Sequence, residues 1–335
     1  MEIKSIADLD QILETLQGEE STTRFFRGHS DSNFQLTPSI YREAYLIENE
    51  DKIIKDAILN CPSSFPNNTT LFDKLVTLQH YGYKTRLLDI TMNALVALFF
   101  AVNDNDGADG ELIVFDIPTS EIKYDSSDRV AILSALSLRD KTFSISKYIE
   151  TASAMGDVAI MQYIVKEHQN LDVDRAYEAI NSLVEDPVSK VSKEVIKQGI
   201  MNNIKDAREK GFKKSFNEQI DIVKIIHDIR NDKGNFDPII NYKDFNQVLC
   251  VRAKLDNQRI VRQQGSFLIF GMQETSKLEQ ANINPKWIRQ KIIVPKEYKS
   301  KILNSLKSFG ISKQTLFPEL ESQSKDIIEQ YKPKI

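Results

Sequence analysis

The window Leu78-Gln-His-Tyr-Gly-Tyr-Lys-Thr-Arg-Leu-Leu-Asp89-Ile-Thr91 gathers His80, Tyr81, Thr85, Arg86, Asp89 and Thr91 into one short stretch. An imidazole can exchange a proton near neutral pH, a guanidinium can clamp phosphate, and a carboxylate can orient either one. The segment that follows, Asn93-Ala-Leu-Val-Ala-Leu-Phe-Phe-Ala-Val102, is almost wholly apolar and has to be buried. Polar groups set against a buried segment are costly unless they satisfy one another or a ligand. Local folding rules do not require such a juxtaposition, so it marks the region where function is sought. A plain structural alternative stands beside this: a buried salt bridge between Arg86 and Asp89, with Thr91 as N-cap of the helix that follows.

Two further groupings have the same double character. Arg27-Gly28 offers a planar fork of donors for phosphate or carboxylate, next to a residue that lets ligand or backbone come close. On the dipeptide alone the structural reading is favoured, an arginine at a strand end beside a turn glycine, because Arg-Gly is a weak signal. Arg259-Ile-Val-Arg-Gln-Gln-Gly-Ser-Phe267 would set two arginines and two amides at the mouth of a sheet, or form a solvated loop leading into a core strand. His29, Asp31, His80 and Asp89 are of metal-ligating type, but their spacings match no metal signature, and no metal is expected. His168 and His227 have charged neighbours on helical stretches and read as surface residues. The Gly-x-Gly-x-x-Gly, Walker, Gly-x-Ser-x-Gly and His-Glu-x-x-His patterns do not occur, which removes the commonest nucleotide, serine-hydrolase and zinc-protease readings.

The elements that must position these residues follow from periodicity. Helices are expected over residues 3–18, 43–60, 71–80, 93–103 and 296–309, and strands over 24–28, 112–116, 245–253, 266–270 and 287–294. Residues 125–232 are poor in glycine and proline and have helical period, with a lysine-rich, weakly amphipathic part over 186–214. The expectation is one α+β domain over residues 1–335: a split mixed or antiparallel sheet, core halves at about 20–124 and 236–320, and a helical middle section at about 125–235. A chain of 335 residues with 41% hydrophobic and 27% charged residues has ordinary globular composition. Its net charge of −4 argues against a mainly electrostatic nucleic-acid or membrane binder. Cys61 and Cys250 stand far apart, with Cys250 reading as a small buried hydrophobe. The longest apolar run is too short to span a bilayer and the N-terminus shows no apolar signal region, so a cytoplasmic protein is expected.

Phe26-Arg-Gly28, Leu78-Gln-His-Tyr-Gly with Thr85-Arg-Leu-Leu-Asp89-x-Thr91, and Ala97-Leu-Phe-Phe-Ala101 together resemble the FRG domain, a bacterial and phage family named for its Phe-Arg-Gly motif. Arg259-Ile-x-Arg-Gln263-x-Gly-x-Phe267 and Thr315-Leu-Phe-Pro-Glu-Leu320 extend the likeness, which runs over about residues 20–330. A second resemblance, to ADP-ribosyltransferases, rests on order: Arg27-Gly28 on an early strand, a hydroxyl-bearing strand over 85–91 followed by a helix with Phe100-Ala101, then Gln263 before a late strand. That resemblance implies NAD as substrate and an ADP-ribosyltransferase-like core. It implies a site in which His80, Asp89 and Gln263 act catalytically while Arg27, Gly28, Tyr81, Thr85, Arg86, Thr91 and Arg259 hold the ligand. The chain departs from the pattern in lacking a Ser-Thr-Ser triplet and the usual late glutamate. Gln263 cannot stabilise a cation as a carboxylate does, which leaves that task to Asp89.

The function expected is an NAD-using, ADP-ribosyltransferase-like enzyme in a phage-defence or toxin context. Its partners would be a nucleotide ligand and a protein or nucleic-acid target, with no membrane. A non-catalytic nucleotide- or protein-binding sensor using the same pocket is the alternative, and a metal-dependent nuclease a third reading. Arg27, His80, Arg86, Asp89 and Gln263 are expected to line one concave site.

Overall fold

In the computed structural model, residues 1–18, 21–66, 69–104, 107–168 and 193–319 are described. Seven segments form strands: β1 (Thr22–His29), β2 (Leu87–Thr91), β3 (Gly110–Pro118), β4 (Lys123–Tyr124), β5 (Val248–Arg252), β6 (Gly265–Phe270) and β7 (Ile288–Val294). They make one sheet in the order β4-β5-β6-β2-β1-β3-β7. Neighbours are antiparallel except β4 and β5, so the α+β class with a mixed sheet is what the chain adopts. The central strands are apolar on both faces because both faces are covered. On one face Phe26, Leu112, Val114 and Ile292 pack with the Ala94–Val102 helix. On the other, Phe25, Leu88, Ile90, Phe115, Leu268 and Phe270 form a second cluster.

Pairing is uneven across this sheet. β1 and β3 are in register from Thr22↔Pro118 to His29↔Glu111, and β2 and β6 from Leu87↔Ile269 to Thr91↔Gly265. β1 and β2 share the single register pair Phe26↔Thr91. The split in the sheet therefore falls between β1 and β2, the strands that carry Arg27 and Asp89.

Behind that split lies the Ala94–Val102 helix, whose apolar residues leave it no stable place but the interior. Its N-cap is Asn93, not Thr91: the Asn93 side chain accepts from the Leu95 and Val96 amides at 3.0 and 3.3 Å. Thr91 instead accepts from the Asn93 amide at 3.0 Å and donates to the Gln263 carbonyl at 2.6 Å. Gly28 and Gly110 let this helix approach. A Cβ on Gly28 would lie 1.9 Å from the Ala97 carbonyl oxygen, and one on Gly110 2.2 Å from that of Ala101. The absent side chain of Gly28 thus makes room for helix backbone.

Elsewhere the elements differ from expectation in instructive ways. The helix expected over 43–60 is two, Ala44–Glu48 and Glu50–Asn60, broken at Asn49. The loop reading of residues 259–263 is wrong: Gln258–Gln263 is a helix, capped by the Asn257 side chain and ended by Gln264 in the left-handed region (φ 47°). Its six residues are too few and too polar to show a helical stripe. The lysine-rich part over 186–214 lies partly outside the described residues, as does His168's side chain, while His227 is exposed.

The chain divides into two compact units. One comprises Met1–Lys141, Phe245–Gln273 and Lys277–Ile335 and contains the whole sheet; the other comprises Thr142–Asp244 and Glu274–Ser276. The Asp128–Ala135 helix falls in the first. In the second, helices Ser146–His168 and Lys193–Asn217 pack closely at two glycines, where a Cβ on Gly211 would come within 2.5 Å of the Ala159 Cβ. Ile222, Ile225, Ile226 and Ile229 form the buried stripe of the Ile220–Asp232 helix. No helix among the described residues is long and apolar enough to cross a membrane.

Candidate functional site

A cleft of about 320 Å³ opens where β1 and β2 part, lined by Arg27 and Gly28 from one strand and by residues 87–91 from the other. The end of the Leu71–His80 helix adds Gln79 and His80, and the Gln258–Gln263 helix adds Arg259 and Gln263. Arg27, His80, Asp89 and Gln263 therefore share one concave site, although Arg27 and Gln263 are far apart in sequence. Arg86 does not join them.

Arg27 is half-buried and held at both ends of its guanidinium. Its Nε donates to His29 Nε2 at 3.0 Å, and its Nη1 donates to the Asp89 carbonyl oxygen at 2.6 Å. Burial pulls this guanidinium down to about 10, against the Asp89 carboxylate and with the help of Arg42. It stays charged at neutral pH. Asp89 projects from β2 as its one exposed residue. Its Oδ2 accepts from Gln79 Nε2 at 2.8 Å, while the other end of that amide accepts a hydrogen bond from Thr85 Oγ1. Thr85 is fully buried and acts on the cleft only through Gln79.

Arg86 has a different partner from either of those considered. It is fully buried, with Nε donating to Glu50 Oε1 at 2.9 Å and Nη1 to the Phe270 carbonyl at 2.9 Å. Lys277 lies 3.1 Å from the other Glu50 oxygen and also donates to the Arg139 carbonyl. Burial alone would raise the Glu50 carboxyl, but Arg86 and Lys277 outweigh it and hold it below the usual carboxylate range. Neither the phosphate clamp nor the Arg86–Asp89 salt bridge exists. The guanidinium is a core tie that a residue at the start of the Glu50–Asn60 helix satisfies.

At the opposite wall, His80 Nε2 lies 3.4 Å from Glu319 Oε1, and the His80 carbonyl accepts from Arg259 Nη1 at 3.4 Å. Burial pushes His80 down from its ordinary value, with Glu319 opposing and Arg259 assisting, which favours the neutral base. The Arg259 guanidinium sits 4.5 Å from the centre of the Phe317 ring. Gln263 uses its side-chain amide to bond the Leu316 carbonyl at 3.1 Å, and its backbone carbonyl holds Thr91. Tyr81 is exposed and does not line the cleft, whereas Tyr83 does. Three participants carried no assigned role in the sequence: Gln79 and Glu319, both inside quoted motifs, and Arg42, which lines the cleft near Arg27. The dense polar run ending at His80 was the available signal for Gln79.

Among the described residues, no group of three or more His, Cys, Asp or Glu side chains is arranged to hold a metal ion. His29, one of the metal-type residues, is buried and serves Arg27.

Comparison with known proteins agrees with the motif reading. No curated protein and no solved structure matches the chain. The family model described as "FRG domain" matches residues 22–110, a span that holds Phe26-Arg27-Gly28, Gln79, His80 and Asp89. Residues 22–110 are thus similar to the FRG domain, and this span supplies both strands flanking the cleft.

Proposed function

We propose that the cleft binds NAD and that the chain is an ADP-ribosyltransferase-like enzyme. One observation carries this reading: Asp89, fixed by Gln79, is the one carboxylate among the described residues that line the cleft, whose other charged lining residues are Arg27, Arg42, Lys84 and Arg259. Guanidinium groups suit a pyrophosphate, and Phe26, Phe100 and Phe267 offer apolar surface to flat rings. Cleavage of the bond between ribose C1 and the nicotinamide nitrogen sends the electron pair out with nicotinamide and leaves positive charge on the ribose. The Asp89 carboxylate stabilises that charge as it develops. The acceptor then attacks C1, and a neutral His80 takes its proton. The strand order supports the reading: Arg27-Gly28 on β1 is next to the hydroxyl-bearing β2, which is next to the strand entered through Gln263.

A phage-defence or toxin setting and a protein or nucleic-acid acceptor come from the resemblances, action in the cytoplasm comes from the apolar pattern of the sequence, and all belong to the same proposal. The rival is a non-catalytic nucleotide sensor, favoured by Gln263, whose amide bonds main chain rather than facing a reacting ribose. Incubation of the purified protein with NAD, with mass-spectrometric detection of nicotinamide, separates them. Release that is lost in Asp89→Asn supports transfer; tight NAD binding with no release by the parent leaves the sensor.

A further inference from the structure

Beside Arg27, the buried His29 Nδ1 and Glu111 Oε2 have no hydrogen-bond partner among the described residues. They face each other at 3.6 Å, on residues 3% and 4% exposed that are direct cross-strand partners in the β1–β3 ladder. Leaving either atom unsatisfied would be costly, and leaving both so costly in one place calls for an explanation.

The other ring nitrogen supplies it. Arginine can only donate, so His29 Nε2, which receives the Arg27 Nε–H at 3.0 Å, must present a lone pair. A neutral imidazole has one proton, and that proton is therefore on Nδ1, aimed at the Glu111 carboxylate. An imidazolium is ruled out by the same bond, since it has no lone pair to offer Arg27. Burial, with Arg27, Arg42 and Lys291 around it, pushes His29 down to about 3 and so acts in the same direction. Glu111 has its second oxygen 3.6 Å from Lys291 Nζ on β7. A 3.6 Å separation is longer than a formed hydrogen bond. The cross-strand pairing keeps the two side chains adjacent, and a small rotation of Glu111 closes the gap.

We propose that Glu111 and His29 are positioning residues for Arg27. Glu111 fixes the Nδ1–H tautomer of His29, whose Nε2 then aims the Arg27 fork, so that Nη1 closes on the Asp89 carbonyl and the remaining donors face the cleft. The row Lys291, Glu111, His29, Arg27, Asp89 runs across β7, β3, β1 and β2 and crosses the split in the sheet. The ligand it prepares for is an anion able to take a bidentate guanidinium, and its identity as NAD pyrophosphate rests on the reading above.

The test has one arm that needs no ligand. Long-range ¹H–¹⁵N correlation spectra of the full chain at neutral pH should show His29 protonated at Nδ1 and unprotonated at Nε2. In Glu111→Leu the Arg27 Nε–H should exchange with water faster than in the parent. The Nε2–H tautomer, an imidazolium, or unchanged Arg27 exchange in Glu111→Leu each overturns the relay. The second arm is calorimetric titration with NAD. Binding should weaken roughly tenfold in His29→Leu and Glu111→Leu, and by no more than about threefold in His29→Gln and Glu111→Gln, where an amide can still accept or donate. Equal loss in the leucine and glutamine variants overturns the proposal, because a merely structural role would not distinguish them. If the parent binds no NAD, the dinucleotide reading fails, and the tautomer with Arg27 exchange still decides the relay.

Discussion

Gln79 Nε2 donates to Asp89 Oδ2 at 2.8 Å, while Thr85 donates to the opposite end of the same amide. Thr85 Oγ1 already accepts from the Leu87 amide at 3.2 Å, so its own proton goes to Gln79. The amide is thereby fixed in one orientation, with its donors toward Asp89. A carboxylate held this way has little reorganisation to undergo when positive charge develops near it.

Asp89→Asn is expected to keep its fold and its affinity for NAD while nicotinamide release falls by at least about a hundredfold, because a carboxylate beside a developing cation contributes mainly in the transition state. Thermal melting, NAD titration and nicotinamide quantification on the same preparation check this. A stability loss approaching that of a buried-charge variant would remove Asp89 from catalysis.

Glu50→Gln is expected to destabilise the protein by about 3–5 kcal/mol, since it leaves Arg86 and Lys277 in the core without their counter-charge. Urea unfolding compares it with Asp89→Asn. If the two variants unfold alike, the assignment of Arg86 as a core tie is wrong.

Acid should weaken the fold through His29. Its pKa is about 3 in the folded chain against an ordinary 6.5. Between those values the unfolded chain binds the extra proton and the folded one does not. The stability is present above about pH 6.5 and is lost as pH falls, by about 1.4 kcal/mol per unit at most. Glu111, raised by burial, acts in the opposite sense just above the ordinary carboxylate range. Urea melts of the parent and His29→Gln at pH 7 and pH 5 isolate the histidine: the parent should lose more stability between them. Equal losses would contradict the buried neutral imidazole.

Gly28→Ala is expected to cost at least about 1–3 kcal/mol, because the added methyl meets helix backbone that has no free rotation to yield. NAD affinity should fall along with stability, as Arg27 is displaced with its neighbour. A variant that melts like the parent but no longer binds NAD would return Gly28 to a direct ligand role.

Much of this was legible locally. Apolar runs with turn residues between them gave most strands, and the conflict between the polar block and the apolar helix pointed to His80 and Asp89. Arg86 was misread because its partner, Glu50, lies 36 residues earlier, at a break between two short helices that periodicity merges into one. Thr91 looked like a cap because a hydroxyl next to a helix start resembles one, while the true cap was Asn93, two residues on. Gln79 and Glu319 matter through partners brought near by folding, and nothing in their own neighbourhood distinguishes an amide that orients a carboxylate from one that faces water.

A single register pair, Phe26↔Thr91, joins β4-β5-β6-β2 to β1-β3-β7. The sheet is thus two leaves on a short spine, and the main-chain groups beyond the spine face a gap instead of each other. Arg27 already fills one of those places by taking the Asp89 carbonyl. On the proposed reading, a ligand in the gap would take up pairing that the two leaves leave undone. Zipping the spine by even a few more residues would make a better sheet and close the cleft: on the proposed reading, the capacity to bind is a length of ladder left unmade.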